Sequence, residues 1–170
     1  MRPIVPVRVV SATGKRRVVH AMLDSGANCD CITRTLVEGM GLKTRELMIE
    51  VQTIASHNRE RNWLASFTVE SLNGREKIVV ENALVTDSFT GDGDMPPSQR
   101  DLTRFEHLKG VNFPNVSGNI ELIIGVAHAE KWLTGEVRLG GPKDPVGMKT
   151  AFGWTIAGTG GPGLALGDVY

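Results

Sequence analysis

The acid at position 24 stands where a carboxylate is expensive. Val18-Val19-His20-Ala21-Met22-Leu23 is an apolar, partly β-branched run that leads directly into Asp24-Ser25-Gly26-Ala27-Asn28, and Cys31-Ile32 resumes the apolar character. A carboxylate at the end of a buried strand costs free energy unless it is paired or put to use, and its chemical use is as a general acid or base. Ser25 can brace such a turn through the backbone, and Gly26 lets another segment come close. The tripeptide alone is also a common β-turn signal that chance supplies in roughly one chain of this length in ten to fifteen. Its setting carries the reading: an apolar strand before it, Ala27 after it, and a second apolar strand, Glu121-Leu122-Ile123-Ile124-Gly125, far along the chain.

The other chemical groups point elsewhere less firmly. Cys29 and Cys31 are the only 2 cysteines. One residue apart, they could close only a small strained ring, so reduced thiols and a cytoplasmic setting are expected. They read as small pocket-wall or core residues. His20, His57, His107 and His128 show no ligand spacing around that pair, so neither a metal nor a cofactor is expected. Gly158-Thr159-Gly160-Gly161-Pro162-Gly163 spells a dinucleotide pattern but contains a proline and precedes no helical run. Asp92-Gly93-Asp94 lacks the further ligands of a calcium loop, and Asn115-Val116-Ser117 would need a secretory leader, which the N-terminal residues do not resemble. The 19 basic and 19 acidic residues cancel, so no nucleic-acid or membrane partner is expected. Lys15-Arg16-Arg17 beside Gly14 reads as a solvated turn, and no apolar run approaches a membrane span.

The elements that must position Asp24 read as mostly β. With 20 glycines and short apolar runs, an all-β plan with minor helices is expected, without internal repeats. Ile4 to Val10 and Arg17 to Leu23 form a hairpin that feeds Asp24. Thr33 to Met40 suits a short helix, capped by Thr33 and ended by Gly41. Glu46 to Ala55 and Trp63 to Leu72 read as strands flanking a polar hairpin tip, Ser56 to Arg61. Ile78 to Val85 is a buried strand, Asp87 to Arg100 a loop, and Asp101 to Lys109 a short amphipathic helix before Gly110. Ile120 to Gly125 follows as a strand, then a helical stretch from Ala127 to Leu133, and late strands at Glu136 to Leu139 and Thr150 to Ala157. One domain over residues 1–158 is expected, with 87–119 as a loop and short-helix insertion and 159–170 as a glycine-rich tail.

Leu23-Asp24-Ser25-Gly26-Ala27-Asn28 resembles the active-site turn of the retropepsins, the single-domain aspartic proteases of retroviruses and retrotransposons. Leu122-Ile123-Ile124-Gly125 resembles their second signature, two apolar residues and a glycine ahead of a helix. Lys149-Thr150-Ala151-Phe152-Gly153-Trp154-Thr155-Ile156-Ala157-Gly158, with His107-Leu108-Lys109-Gly110 upstream, is similar to the protease domain of BEL/Pao-type retrotransposon polyproteins. The resemblance runs from about Val5 to Gly158. It implies a closed acid-protease β-barrel with short helices, assembled as a two-fold homodimer, and an endopeptidase that processes a Gag-Pol-type polyprotein in the cytoplasm or within virus-like particles.

In that class two carboxylates share one proton, because like charges so close cannot both ionise. One draws a proton from water as the water attacks the scissile carbonyl; the other hydrogen-bonds the carbonyl oxygen. This chain has one Asp-Ser-Gly triplet, so the second carboxylate must come from a second copy of Asp24. Ser25 and Gly26 would support the paired turns. Ala27, Asn28 and Ile124 would line the groove for an extended polypeptide, and Ser56, His57 and Asn58 would reach it from the projecting hairpin, in the place of the retroviral flap. That tip carries no glycine, unlike the retroviral ones. A catalytically silent dimer that binds peptides, and a precursor segment active only within a larger polyprotein, are the competing expectations.

Overall fold

Two apolar runs separated by a glycine turn start the chain as a hairpin. Strands β1 (Ile4–Val10) and β2 (Arg16–Leu23) pair antiparallel across the turn at Gly14. The computed structural model describes residues 1–89 and 97–158. The tail 159–170, Asp92-Gly93-Asp94 and the dinucleotide-like run beyond Gly158 therefore lie outside the described residues. The chain is mostly β with a few short helices, and no described helix is long and apolar enough to cross a membrane.

After β2 come β3 (Cys31–Thr33) and helix α1 (Arg34–Met40). As expected, the Thr33 side chain caps the helix by accepting from the Leu36 N–H, and Gly41 closes it in the left-handed region at φ 59°. Leu36, Val37 and Met40 face the core. Strands β4 (Lys43–Gln52) and β5 (His57–Glu70) then make a long hairpin, and β6 (Lys77–Thr86) returns along β5. The turn of the hairpin is not where polarity alone put it. Thr53 to Ser56 form the tip, with the Thr53 N–H donating to the Ser56 carbonyl at 2.7 Å, and His57 to Arg61 are strand. Their polarity reflects a ladder exposed to solvent and laced by ion pairs, Glu46 with Arg61 at 2.8 Å and Glu50 with Arg59 at 3.2 Å.

Next, α2 (Gln99–Leu102) and a 3-10 turn at Glu106–Leu108 replace the single helix expected from Asp101 to Lys109. Leu102, Leu108, Val111 and Phe113 pack with Ile156 as a second, smaller apolar cluster. His107 donates from Nε2 to the Pro145 carbonyl at 2.8 Å, tying this segment to the C-terminal part. Strand β7 (Ile120–Ile124) leads through a 3-10 turn at Val126–His128 into α3 (Ala129–Trp132). The chain then forms a three-stranded sheet of β8 (Leu133–Arg138), β9 (Val146–Thr150) and β10 (Gly153–Ala157). Thr150 to Ala157, expected as one strand, is thus a hairpin bend followed by a strand: the Thr150 hydroxyl donates to the Gly153 carbonyl across it at 2.7 Å.

The large sheet has the order β1-β2-β7-β3-β6-β5-β4, and β1 also pairs with β5. Val5, Val7, Val9, Ala21, Leu23, Ile32, Leu122 and Ile124 meet in its main core. Each Val, Leu or Ile side chain among them, removed from water, contributes about 1.5–3 kcal/mol. Strand β7 lies between β2, to which it runs parallel, and β3, to which it runs antiparallel. The link from β2 to β3, residues 24–30, must therefore pass around the end of β7.

Candidate active site

That passage builds the site. Leu23 is the last buried residue of β2, opposite Ile124 of β7. The Asp24 N–H continues the ladder by donating to the Ile124 carbonyl at 2.9 Å, and the Val126 N–H donates back to the Ala27 carbonyl at 2.9 Å. Between these two bonds the chain turns: the Ala27 N–H donates to the Asp24 carbonyl at 3.1 Å, and the Gly26 N–H to Asp24 Oδ1 at 2.8 Å. One carboxylate oxygen thus braces its own turn, in the manner of an Asx-turn. Asp24 is half-buried, while Ser25 and Gly26 are exposed at the rim.

Gly125 has to be a glycine here. A Cβ on it would lie 2.6 Å from the Ala27 carbonyl oxygen and 3.0 Å from that of Cys29. The two segments interlock at backbone distance, which no side chain permits.

Below the turn lies a polar pair that the sequence reading did not single out. Asp30 is buried at 7 %, its Oδ1 accepting from the Gly125 N–H at 2.9 Å and its Oδ2 from His128 Nε2 at 2.9 Å. The Asp30 carbonyl also accepts from the Leu84 N–H of β6 at 2.8 Å. A single residue thereby joins the turn, the end of β7 and β6. Trp132 adds a bond from Nε1 to the Gly125 carbonyl at 3.4 Å. The available signal was an acid three residues before the helix cap Thr33, flanked by Cys29 and Cys31 and followed by Ile32, a setting as costly as that of Asp24.

A cavity of about 520 Å³ opens beside Asp24, walled by Met22, Leu23, Ser25, Phe89, Ile120 and Ile123 with residues 1–3. Ile123, not Ile124, faces it. Alternation along β7 turns the Ile124 side chain into the core at 0 % exposure, so its expected place in a substrate groove is corrected, and its carbonyl is what serves the turn. Ala27 is half-buried and Asn28 exposed. Ser56, His57 and Asn58 are exposed on the β4–β5 hairpin, where Ser56 bonds Thr53 and His57 Nε2 lies 3.7 Å from Glu50. Cys29 is exposed and Cys31 half-buried, so of the two places expected for them, pocket wall or core, neither takes the core. Among the described residues no group of three or more His, Cys, Asp or Glu is placed to hold a metal ion.

The chain matches no family model and no curated protein.

Proposed function

We propose that the chain is an aspartic endopeptidase of the retropepsin type that acts as a homodimer and processes a retrotransposon polyprotein. The observation that carries the reading is the interlock at Asp24. An acid at the end of an apolar strand is held by reciprocal backbone bonds to the Ile124–Val126 segment, beside an open cavity walled by Met22, Phe89, Ile120 and Ile123 together with polar groups. The circuit of pairings from β1 through β2, β7, β3, β6 and β5 back to β1 supports the closed barrel that such an enzyme has.

With two copies facing each other, the two Asp24 carboxylates share one proton. The ionised one takes a proton from a bound water, which adds to the scissile carbonyl. The protonated one donates to the developing oxyanion, and proton transfer to the amide nitrogen then releases the products without a covalent intermediate. The bond from the Gly26 N–H to Asp24 Oδ1 fixes the carboxylate plane. The substrate of this reading is an extended polypeptide, bound through strand-like pairing.

Asp24→Asn tests the proposal, since the amide keeps the turn's acceptor oxygen but cannot act as a base. Cleavage of a peptide library should fall by at least about 100-fold with fold and assembly intact. Cleavage that survives in this variant refutes the reading. A silent peptide-binding dimer is favoured by one observation: the hairpin that would close over substrate is laced by exposed ion pairs and has no glycine at its tip. That reading predicts peptide binding without new termini.

A further inference from the structure

We infer that Cys29 and Cys31 form a thiol–disulfide exchange site for low-molecular-weight disulfides of the glutathione type, and that its closure acts on the Asp24 turn. The two sulfurs lie 3.7 Å apart, with Cys29 exposed and Cys31 half-buried behind it. The residue between them is the pinned Asp30, whose carboxylate holds the Gly125 N–H and His128. Both thiols are therefore presented together while their linker is fixed to the end of β7.

The exposures assign the order of events. Burial, then the hydrogen bond and charge of Cys29, then the charge of Asp30, push the Cys31 thiol up to about 12, so it stays protonated at neutral pH. The exposed Cys29 attacks first: its thiolate bonds one sulfur of glutathione disulfide and expels one glutathione thiolate. Cys29 then no longer bonds or charges its neighbour, which removes two causes of the raised Cys31 value. Cys31 attacks the Cys29 sulfur, a protein disulfide forms, and a second glutathione leaves. The two protein thiols are oxidised, one glutathione disulfide is reduced to two thiols, and the two protons end on those thiols.

Closure requires the sulfurs to approach by about 1.7 Å, from 3.7 Å to bonding distance. A ring this small is strained, and strained, exposed disulfides are the readily reduced, regulatory ones. The movement has nowhere neutral to go. The Cys29 carbonyl already abuts Gly125, which bonds Asp30 and lies against Ala27.

The test is glutathione disulfide applied to the native chain, read by thiol titration and intact mass. The wild type should lose both thiols and two hydrogen masses, and dithiothreitol should restore both. Cys31→Ser should stop at one glutathionyl adduct, and Cys29→Ser should keep Cys31 unmodified. Two surviving thiols, a wild type arrested at the adduct, or a disulfide joining two copies overturns the site. The coupling is read from the Gly125 amide resonance, which should move on oxidation; an unmoved resonance overturns it. The effect on catalysis rests on the proposed protease reading, with cleavage expected to drop about tenfold or more on oxidation and to return on reduction. Cleavage unchanged by closure overturns that effect. A reduced chain with no cleavage counts against the protease reading alone, because the thiol and amide readouts do not depend on it.

Discussion

At the scale of single residues, Gly125 and His20 give opposite kinds of sensitivity. Gly125→Ala puts a methyl group against backbone oxygen at 2.6 Å, so the turn or β7 must shift. The expected loss is about 1–3 kcal/mol, measured as a lower urea midpoint. An unchanged midpoint would show that the two segments are not locked. His20, half-buried on β2, is held below its ordinary 6.5 by burial, partly offset by the charge of Glu121. Below that value the unfolded chain binds more protons than the folded one, so stability rises with pH through this window. Acidification from pH 7 through 6.5 should therefore weaken the fold, and His20→Gln should flatten that part of the profile. Equal slopes in the two proteins count against the assignment. The sequence made Asp24 legible because an acid ended a long apolar strand. It left Asp30 and His128 obscure, since their partners lie 95 and 98 residues away along the chain and only β7 brings them together.

Among the elements, local signals were read well and paired ones less so. Helix α1 followed from Thr33 and Gly41, which act within their own turn. Thr33→Ala should cost about 1 kcal/mol by removing the cap, and thermal melts against wild type measure it. No change in melting would mean that packing of Leu36, Val37 and Met40 alone sets the helix start. Strand β3 escaped notice because three residues are too few for periodicity; β6 and β7 on its two sides define it. The hairpin of β4 and β5 follows the expected strands, but its tip, Thr53 to Ser56, meets the polar run only at Ser56. Polarity there reports exposure of both strand faces, not the turn, and the Thr53–Ser56 bonds are what reverse the chain. Likewise β9 emerged only with its neighbours, as Gly147 and Lys149 break the apolar pattern of Val146 to Thr150.

At the scale of the whole molecule, the all-β plan was visible in glycine content and short apolar runs, whereas strand order was not, because pairing between distant strands leaves no local trace. The proposed dimer makes a prediction of its own. If each copy supplies one Asp24, activity per chain should fall on dilution, in step with the loss of dimer seen by sedimentation velocity. Activity that stays constant while the dimer dissociates would place both carboxylates' work in one chain. The interlock of Asp24 with Ile124 and Val126 also has a consequence in time. Roughly a hundred residues separate its two halves, and at about 5–20 residues per second a ribosome needs on the order of ten seconds to make them. Throughout that interval the nascent chain carries Asp24 without the strand end that shapes its turn. On the proposed protease reading, a polyprotein containing this segment would be spared attack by its own emerging portion until translation has passed Val126.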